Sequence, residues 1–440
     1  MTGGGVTAAV AAPERNWSRT LAFSAAVHQP STLAELQRAV AGSSRVHALG
    51  SRHSFTPVAD TTGTLLSLAR LPAATDPTAI EIDADRRLVR VPAGVRYGQL
   101  ARQLEQAGFA LHNLGSLPHI SVVGAVSTGT HGSGPTNGNL ATAVRAVELV
   151  TASGDIRTLD RGSLGERFDG AVVALGCLGI VTAVTLAVEP TYLVCQDVYA
   201  DLSFDAFAEN TDVILGAGYS VSLFTDFAAR SFPQVWVKRR LERGIGIDAP
   251  EEFFGARRLH TDVHPIPGMS PEPTTAQCGA PGPWSERLAH FTPEFQPGFG
   301  AELQSEHFVA RADVVSELEV LFALADTLGP LTRIAELRTT AADRLWLSPQ
   351  YSRDTAGVSF TWSTDEPAVH AALVEIERAL APLDPRPHWG KLFATTPARL
   401  AAAYPRLPDF RALAVELDPT GKFRNSFSDT FVWAGAQRND

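Results

Sequence analysis

An α+β fold is predicted by three features of this sequence. Up to about residue 190, short strand patterns alternate with amphipathic helical ones, with Gly, Pro and Asp between them. Beyond Glu189-Pro190 both the punctuation and the strand pattern change. Further on, two amphipathic helical segments, 314–329 and 368–383, flank the strand candidates 332–339 and 357–362. That order suits helices laid on an antiparallel sheet. The 440 residues, 45% hydrophobic and 19% charged, are enough for two or three domains of ordinary size.

In chain order, residues 31–40 place Leu33, Leu36 and Val40 on one helical face behind Ser31 or Thr32 as N-cap. Residues 45–50 read as a strand ending at Gly50, and 64–71, 79–83 and 87–94 as further strands. Residues 96–108 form an amphipathic helix, with Leu100 and Leu104 inward and Gly108 as its stop. Residues 147–160 predict a hairpin across Ser153-Gly154-Asp155. The Pro- and Gly-rich stretch 260–300 lacks periodicity and reads as a long surface loop, a length usually reserved for function or disorder. No internal repeat is visible.

Composition excludes several classes. A formal net charge of −10, with no Lys/Arg block, argues against a nucleic-acid partner. The three cysteines form no CxxC pair and leave an odd thiol, which suits a reducing compartment. The first residues lack the basic start and apolar core of a secretory signal, and no run reaches the ~18–20 apolar residues of a membrane span. A cytoplasmic, soluble monomer without membrane partners is the expectation. His260 and His264 are spaced for a metal on a helix, but Pro265, Pro267 and Gly268 follow at once, so no metal site is expected.

Two segments are unlike ordinary loops. Gly50-Ser51-Arg52-His53-Ser54-Phe55 follows a strand directly, although local residues alone leave a plain Gly-Ser turn with an exposed histidine open. The run from Gly115 to Gly134 leaves backbone N–H groups uncovered for a polyanion such as a pyrophosphate, and its hydroxyls add donors. A flexible linker is the bland alternative, but Leu117, Ile120, Val122, Val123 and Val126 give it an apolar stripe that linkers lack. No GxGxxG opens a helix after the first strand and no Lys follows the glycines, so neither a Rossmann nor a Walker site is present. Glu336 and Arg338, two apart on a strand, face the same way; such a pair alone is more often a surface ion pair.

Three motifs occur in order: G-S-R-H-S-F at 50–55, S-L-P-H-I-S-V-x-G-A-V-x-T-G-T-H-G-S-G at 116–134, and R-P-H-W-G-K at 386–391. Together they resemble the vanillyl-alcohol-oxidase type of FAD protein and, within it, the alditol (xylitol) oxidases, with the aldonolactone oxidases as neighbours. The resemblance implies a two-domain PCMH-type fold: an FAD domain over 1–190, an antiparallel-sheet substrate cap over 191–395, and a segment 396–440 returning to the FAD domain. It implies a histidine, His53, bonded covalently to the flavin 8α carbon, beside Gly50, Ser51, Arg52, Ser54 and Phe55. Gly115, Ser116, Leu117, His119, Ser121, Gly124 and Ala125 would cradle the FAD, with Thr128, Gly129, Thr130, His131, Gly132 and Ser133. Gly179, Ile180 and Val181 would pass near its adenine and ribose.

On the substrate side, the resemblance places Ser116, Glu336, Arg338, Ser359 and Thr361 around the polyol, and Lys391 at the reacting hydroxyl. Lys391, Arg338, Glu336 and His388 are the catalytic candidates. His119 and His131 read better as structural, whereas His388 stands equally for either role. Where the family carries H-F-T-W, this chain has Ser359-Phe360-Thr361-Trp362, which removes a ring and a possible proton acceptor from the pocket. The implied reaction oxidises a terminal primary alcohol to the aldehyde, with O₂ reduced to H₂O₂. Gly115, small where the wider family needs room for oxygen, favours an oxidase. An aldonolactone oxidase and a non-catalytic flavin-binding protein are the alternatives, separated by substrate profiling.

Overall fold

A computed structural model describes residues 13–241, 249–294 and 302–434. The first helix spans Leu33–Gly42; Thr32 caps it by accepting from the Glu35 N–H, and Leu36 and Val40 are fully buried. The expected strand at 64–71 is shorter, Thr64–Leu66, because Ser67 accepts from the Ala69 N–H and turns the chain into a 3₁₀ turn. This strand pairs in parallel with Val27–His28 and Val46–Ala48. Helix Tyr97–Gln106 buries Leu100 and Leu104. The hairpin joins Val144–Val150 to Ile156–Asp160 within a five-stranded antiparallel sheet, whose other members are Glu81–Asp83, Leu88–Pro92 and Ile180–Ala187.

A ten-stranded antiparallel sheet forms the second unit. Along its centre run Leu193–Ser203, Ser231–Leu241, Ser220–Thr225, Thr332–Thr340, Thr355–Trp362 and Leu303–Ala310. Helices Val314–Ala323 and Glu366–Leu380 turn Leu318, Leu321, Val369, Leu373 and Ile376 onto one face of it. The helical pattern expected over 314–329 breaks at Leu324 into a second, one-turn helix, Ala325–Leu328. The stretch 260–300 is mostly loop, with a short strand, Gly282–Pro283, and a helical turn, Trp284–Arg287; its residues 295–300 lie outside the described part.

The α+β class therefore holds, and the units are stitched by backbone. Gly134 N–H donates to Thr339 O, tying the Gly-rich run to a central strand of the large sheet. The C-terminal segment packs on the first unit. Lys422 donates to the carbonyls of Val40, Ala41 and Ala152, and Asn425 to those of Val58 and Asp60. No described helix is long and apolar enough to cross a membrane.

Candidate active site

Between the two sheets lies a cavity of about 770 Å³, in the upper range for small-molecule sites. Strand register builds one wall. Ser359 lies opposite Glu306 on one side and Glu336 on the other, while Thr361 pairs with Gln304 and Ile334. Since side chains alternate along a strand, Arg338 shares the face of Glu336. Lys391 arrives from the turn after the short strand Arg386–Pro387 and meets this wall.

A buried ion cluster results. Lys391 Nζ donates to Glu306 Oε2 at 2.8 Å and to Ser359 Oγ at 2.7 Å. Arg338 donates to Glu306 Oε1 at 3.1 Å and to Ser116 Oγ at 3.3 Å, with its Nε 3.4 Å from Glu336. His131 Nε2 lies 3.0 Å from Glu306 Oε1. Burial would raise the Glu306 carboxyl, but Lys391, His131 and Arg338 hold it well below the usual carboxylate range. Burial also opposes ionisation of Glu336, yet Arg338 and the His290 ring, 2.7 Å away, bring it down to about 2. The His388 ring is pushed down to about 3, chiefly by burial. Its Nδ1 accepts from the Gly390 N–H, so the neutral ring carries its proton on Nε2 and is a donor.

The His53 turn forms the opposite wall and is tied to the Lys391 turn. Phe55 N–H donates to Gly390 O, and Thr56 Oγ1 to Trp389 O. The His53 ring stacks on Trp17, with centroids 5.4 Å apart. Trp17 N–H donates to Arg52 O and Asn16 Nδ2 to Ser54 O, while Arg52 pairs with Glu14. Burial takes the His53 ring down to about 4, and its buried Nδ1 has no hydrogen-bond partner. From the Gly-rich run, Gly115, Ser116, Leu117, Ser121, Gly124, Ala125, Thr128, Thr130 and His131 line the cavity. A Cβ on Gly124 would fall 2.7 Å from Ser121 Oγ, so backbone stays uncovered there.

Five residues named from the sequence do not line the cavity. His119 Nε2 bonds Pro293 O, and Ser133 Oγ donates to Val221 O. Gly129 backs onto Pro349, Gly132 onto Asn113 and the Leu114 carbonyl, and Ile180 is buried in the core beside Val46 and Leu66. Gly179 and Val181 do line its far arm, with Gly176 and His47. His260 bonds Glu251, whereas His264 Nδ1 accepts from the Ile266 N–H. Among the described residues, no group of three or more His, Cys, Asp or Glu could hold a metal.

Sequence reasoning missed Glu306, His290, Trp17 and His47. Glu306 and Gln304 do carry a signal: polar residues two apart within the strand Leu303–Ala310. His47 is buried with both ring nitrogens unpartnered.

The comparisons with known proteins agree with this geometry. Residues 24–160 match a family model described as an FAD binding domain, and residues 314–431 one described as D-arabinono-1,4-lactone oxidase. The chain is 48% identical to an alditol oxidase of Streptomyces sp., over 94% of this chain and 97% of the relative. It is 28% identical to an L-gulono-1,4-lactone dehydrogenase of Mycobacterium tuberculosis, over 94% and 97%. A crystal structure of cholesterol oxidase from B. sterolicum superposes with a TM-score of 0.74 at 16% identity, covering 96% of each chain, so the fold is the two-domain PCMH type. With a whole-length relative at 48% identity, the chain belongs to the alditol oxidase family of FAD-dependent oxidases.

Proposed function

We propose that this enzyme oxidises the terminal primary hydroxyl of an open-chain alditol, such as xylitol, sorbitol or glycerol, to the aldehyde, with FAD held covalently by His53. The observation that carries this reading is the polar wall of Ser116, Glu336, Arg338, Ser359, Thr361 and Lys391 in the same cavity as the His53 turn. Whole-length similarity to an alditol oxidase supports it.

The residues present fit FAD. Unpartnered, buried nitrogens await a ligand on two cavity-lining residues, His53 and His47. Gly115, Gly124 and the hydroxyls of Ser121 and Thr130 offer an uncovered, neutral donor surface suited to a pyrophosphate. His53 is uncharged at neutral pH, so its ring has a lone pair for a carbon electrophile. When bound, FAD supplies a two-electron acceptor for the carbinol hydride, with O₂ as final oxidant.

The protein's part is orientation and charge. Each polyol hydroxyl can donate and accept, and the wall offers both: Glu336 accepts, Arg338 donates, and Ser116, Ser359 and Thr361 do either. Such a set holds the chain in one near-attack pose. Lys391 has three N–H donors, of which Glu306 and Ser359 take two; the third stabilises negative charge developing on the reacting oxygen. His388 adds a neutral donor rather than a base.

The lactone-oxidase match over 314–431 supports a second reading, oxidation of a ring hydroxyl beside a lactone carbonyl. Anaerobic mixing with xylitol, sorbitol, glycerol and galactonolactone, followed by visible absorbance, tests both. Bleaching by an open-chain polyol, and peroxide on readmitting air, is expected. Bleaching by the lactone alone would establish the second reading. For the covalent link, acid precipitation should leave yellow protein, and His53→Ala should release its flavin.

A further inference from the structure

We infer that Glu306 is a positioning residue, which fixes the Lys391 ammonium and the Arg338 guanidinium in place facing the cavity and supplies the countercharge that Lys391 needs there. The inference rests on the polyol-oxidase reading above and extends it to a side chain that never meets substrate, because the Glu306 carboxylate has no accessible surface.

Three donors from three separate segments converge on its two oxygens. Lys391, from the turn after Arg386–Pro387, takes Oε2 at 2.8 Å. His131, from the Gly-rich run, and Arg338, from Thr332–Thr340 on the far side of the strand Thr355–Trp362, take Oε1 at 3.0 and 3.1 Å. A carboxylate buried this deeply is tolerated only when paired and hydrogen-bonded, and here both oxygens are. Two of the three donors also have a partner on the cavity side: Ser359 for Lys391 and Ser116 for Arg338. Glu306 therefore acts as the common anchor behind the reactive wall.

Charge makes the anchor more than a brace. Burial favours the neutral amine of Lys391, and Glu306 is the largest influence opposing it; Arg338 adds to the loss, and Glu336 lies further down in effect. The other groups facing the cluster do not replace Glu306. Glu302 and Glu317 are both raised by burial, which disfavours the charge that would have to stand in for Glu306. His388 is neutral, and His131 is itself a donor to Glu306.

The test is Glu306→Gln, with anaerobic flavin reduction by xylitol measured across pH. Removing an opposite charge at this distance moves a partner's pKa by about 1–3 units. Since Lys391 would lose its proton at lower pH, the alkaline limb of the reduction rate should move toward acid by about that much, with flavin still bound. Glu306→Asp keeps the charge, so its alkaline limb should stay near the wild-type position even if the rate is lower. A uniform fall in rate with no shift of the limb would overturn the inference, as would an Asp variant that shifts as far as Gln. If Gln fails to fold, Lys391→Arg decides: its guanidinium does not titrate, so the alkaline limb should vanish, and a limb left in place would overturn the inference. Failure of the underlying reading is separate: wild-type protein would not be bleached by any polyol.

Discussion

Gly176 has φ +77, and a Cβ there would fall 2.5 Å from His47 Cε1. Gly176→Ala combines backbone strain with a clash against a buried ring, so a loss of about 1–3 kcal/mol is expected. A lower Tm with weakened flavin retention would show it. Arg338→Lys tests the wall itself. The guanidinium reaches Ser116, Glu306 and Glu336 at once, which an ammonium on a flexible stem cannot reproduce. The rate of flavin reduction should fall about a hundredfold. His388→Asn should leave the acid limb of the pH profile in place, because a ring held near 3 is already neutral throughout the working range. A shifted limb would make it a titrating participant. At this scale the sequence was informative wherever a residue sat in a motif. Lys391, Arg338, Glu336, Ser359 and Thr361 all reach one cavity, whereas Glu306 lay in a strand without a motif and gained its surroundings only from three distant segments.

Among elements, alternation along the chain was readable where one face meets solvent, as in helix Tyr97–Gln106 and the Val144–Asp160 hairpin. It failed for Leu193–Ser203, which is buried on both faces over most of its length. Its Asp197 sits fully buried between Arg239 and Arg258, so a charge in the middle of a strand misleads any reading by polarity. Segment 284–292 shows how such burial reaches the site. Lys238, on the strand Ser231–Leu241, donates to the carbonyls of Arg287, Leu288 and Ala289. His290, next along, holds Glu336. Lys238→Met leaves the Arg287 and Leu288 carbonyls without their donor, while Ala289 O keeps Thr275 Oγ1, and a destabilisation of about 3 kcal/mol is expected. Polyol affinity should weaken too, since the His290–Glu336 pair loses its support. Denaturant unfolding and substrate titration would separate the two effects.

Across the whole molecule, acid should act through the cavity as well as the surface. Glu336 has a folded pKa of about 2 against an ordinary 4.5. A depressed carboxyl contributes stability above its unfolded pKa and loses it as pH falls through the folded one. The window is therefore pH 4.5 down to about 2, and the contribution about 3 kcal/mol. Glu336→Gln should flatten the fall in stability across that window, measured by denaturant midpoints at each pH. The clamp of Lys422 and Asn425 on five carbonyls of the first unit also ties the segment 422–425 into that unit. The wall near Lys391 has another consequence. Its two fixed cations, Lys391 and Arg338, are matched by two fixed anions, Glu306 and Glu336. Those four groups thus present strong local dipoles in which cations and anions are equal in number. An uncharged sugar alcohol enters without steering, so its capture should be nearly blind to ionic strength. A charged analogue of the same length, such as an aldonate, would gain no compensating attraction for the water it must shed.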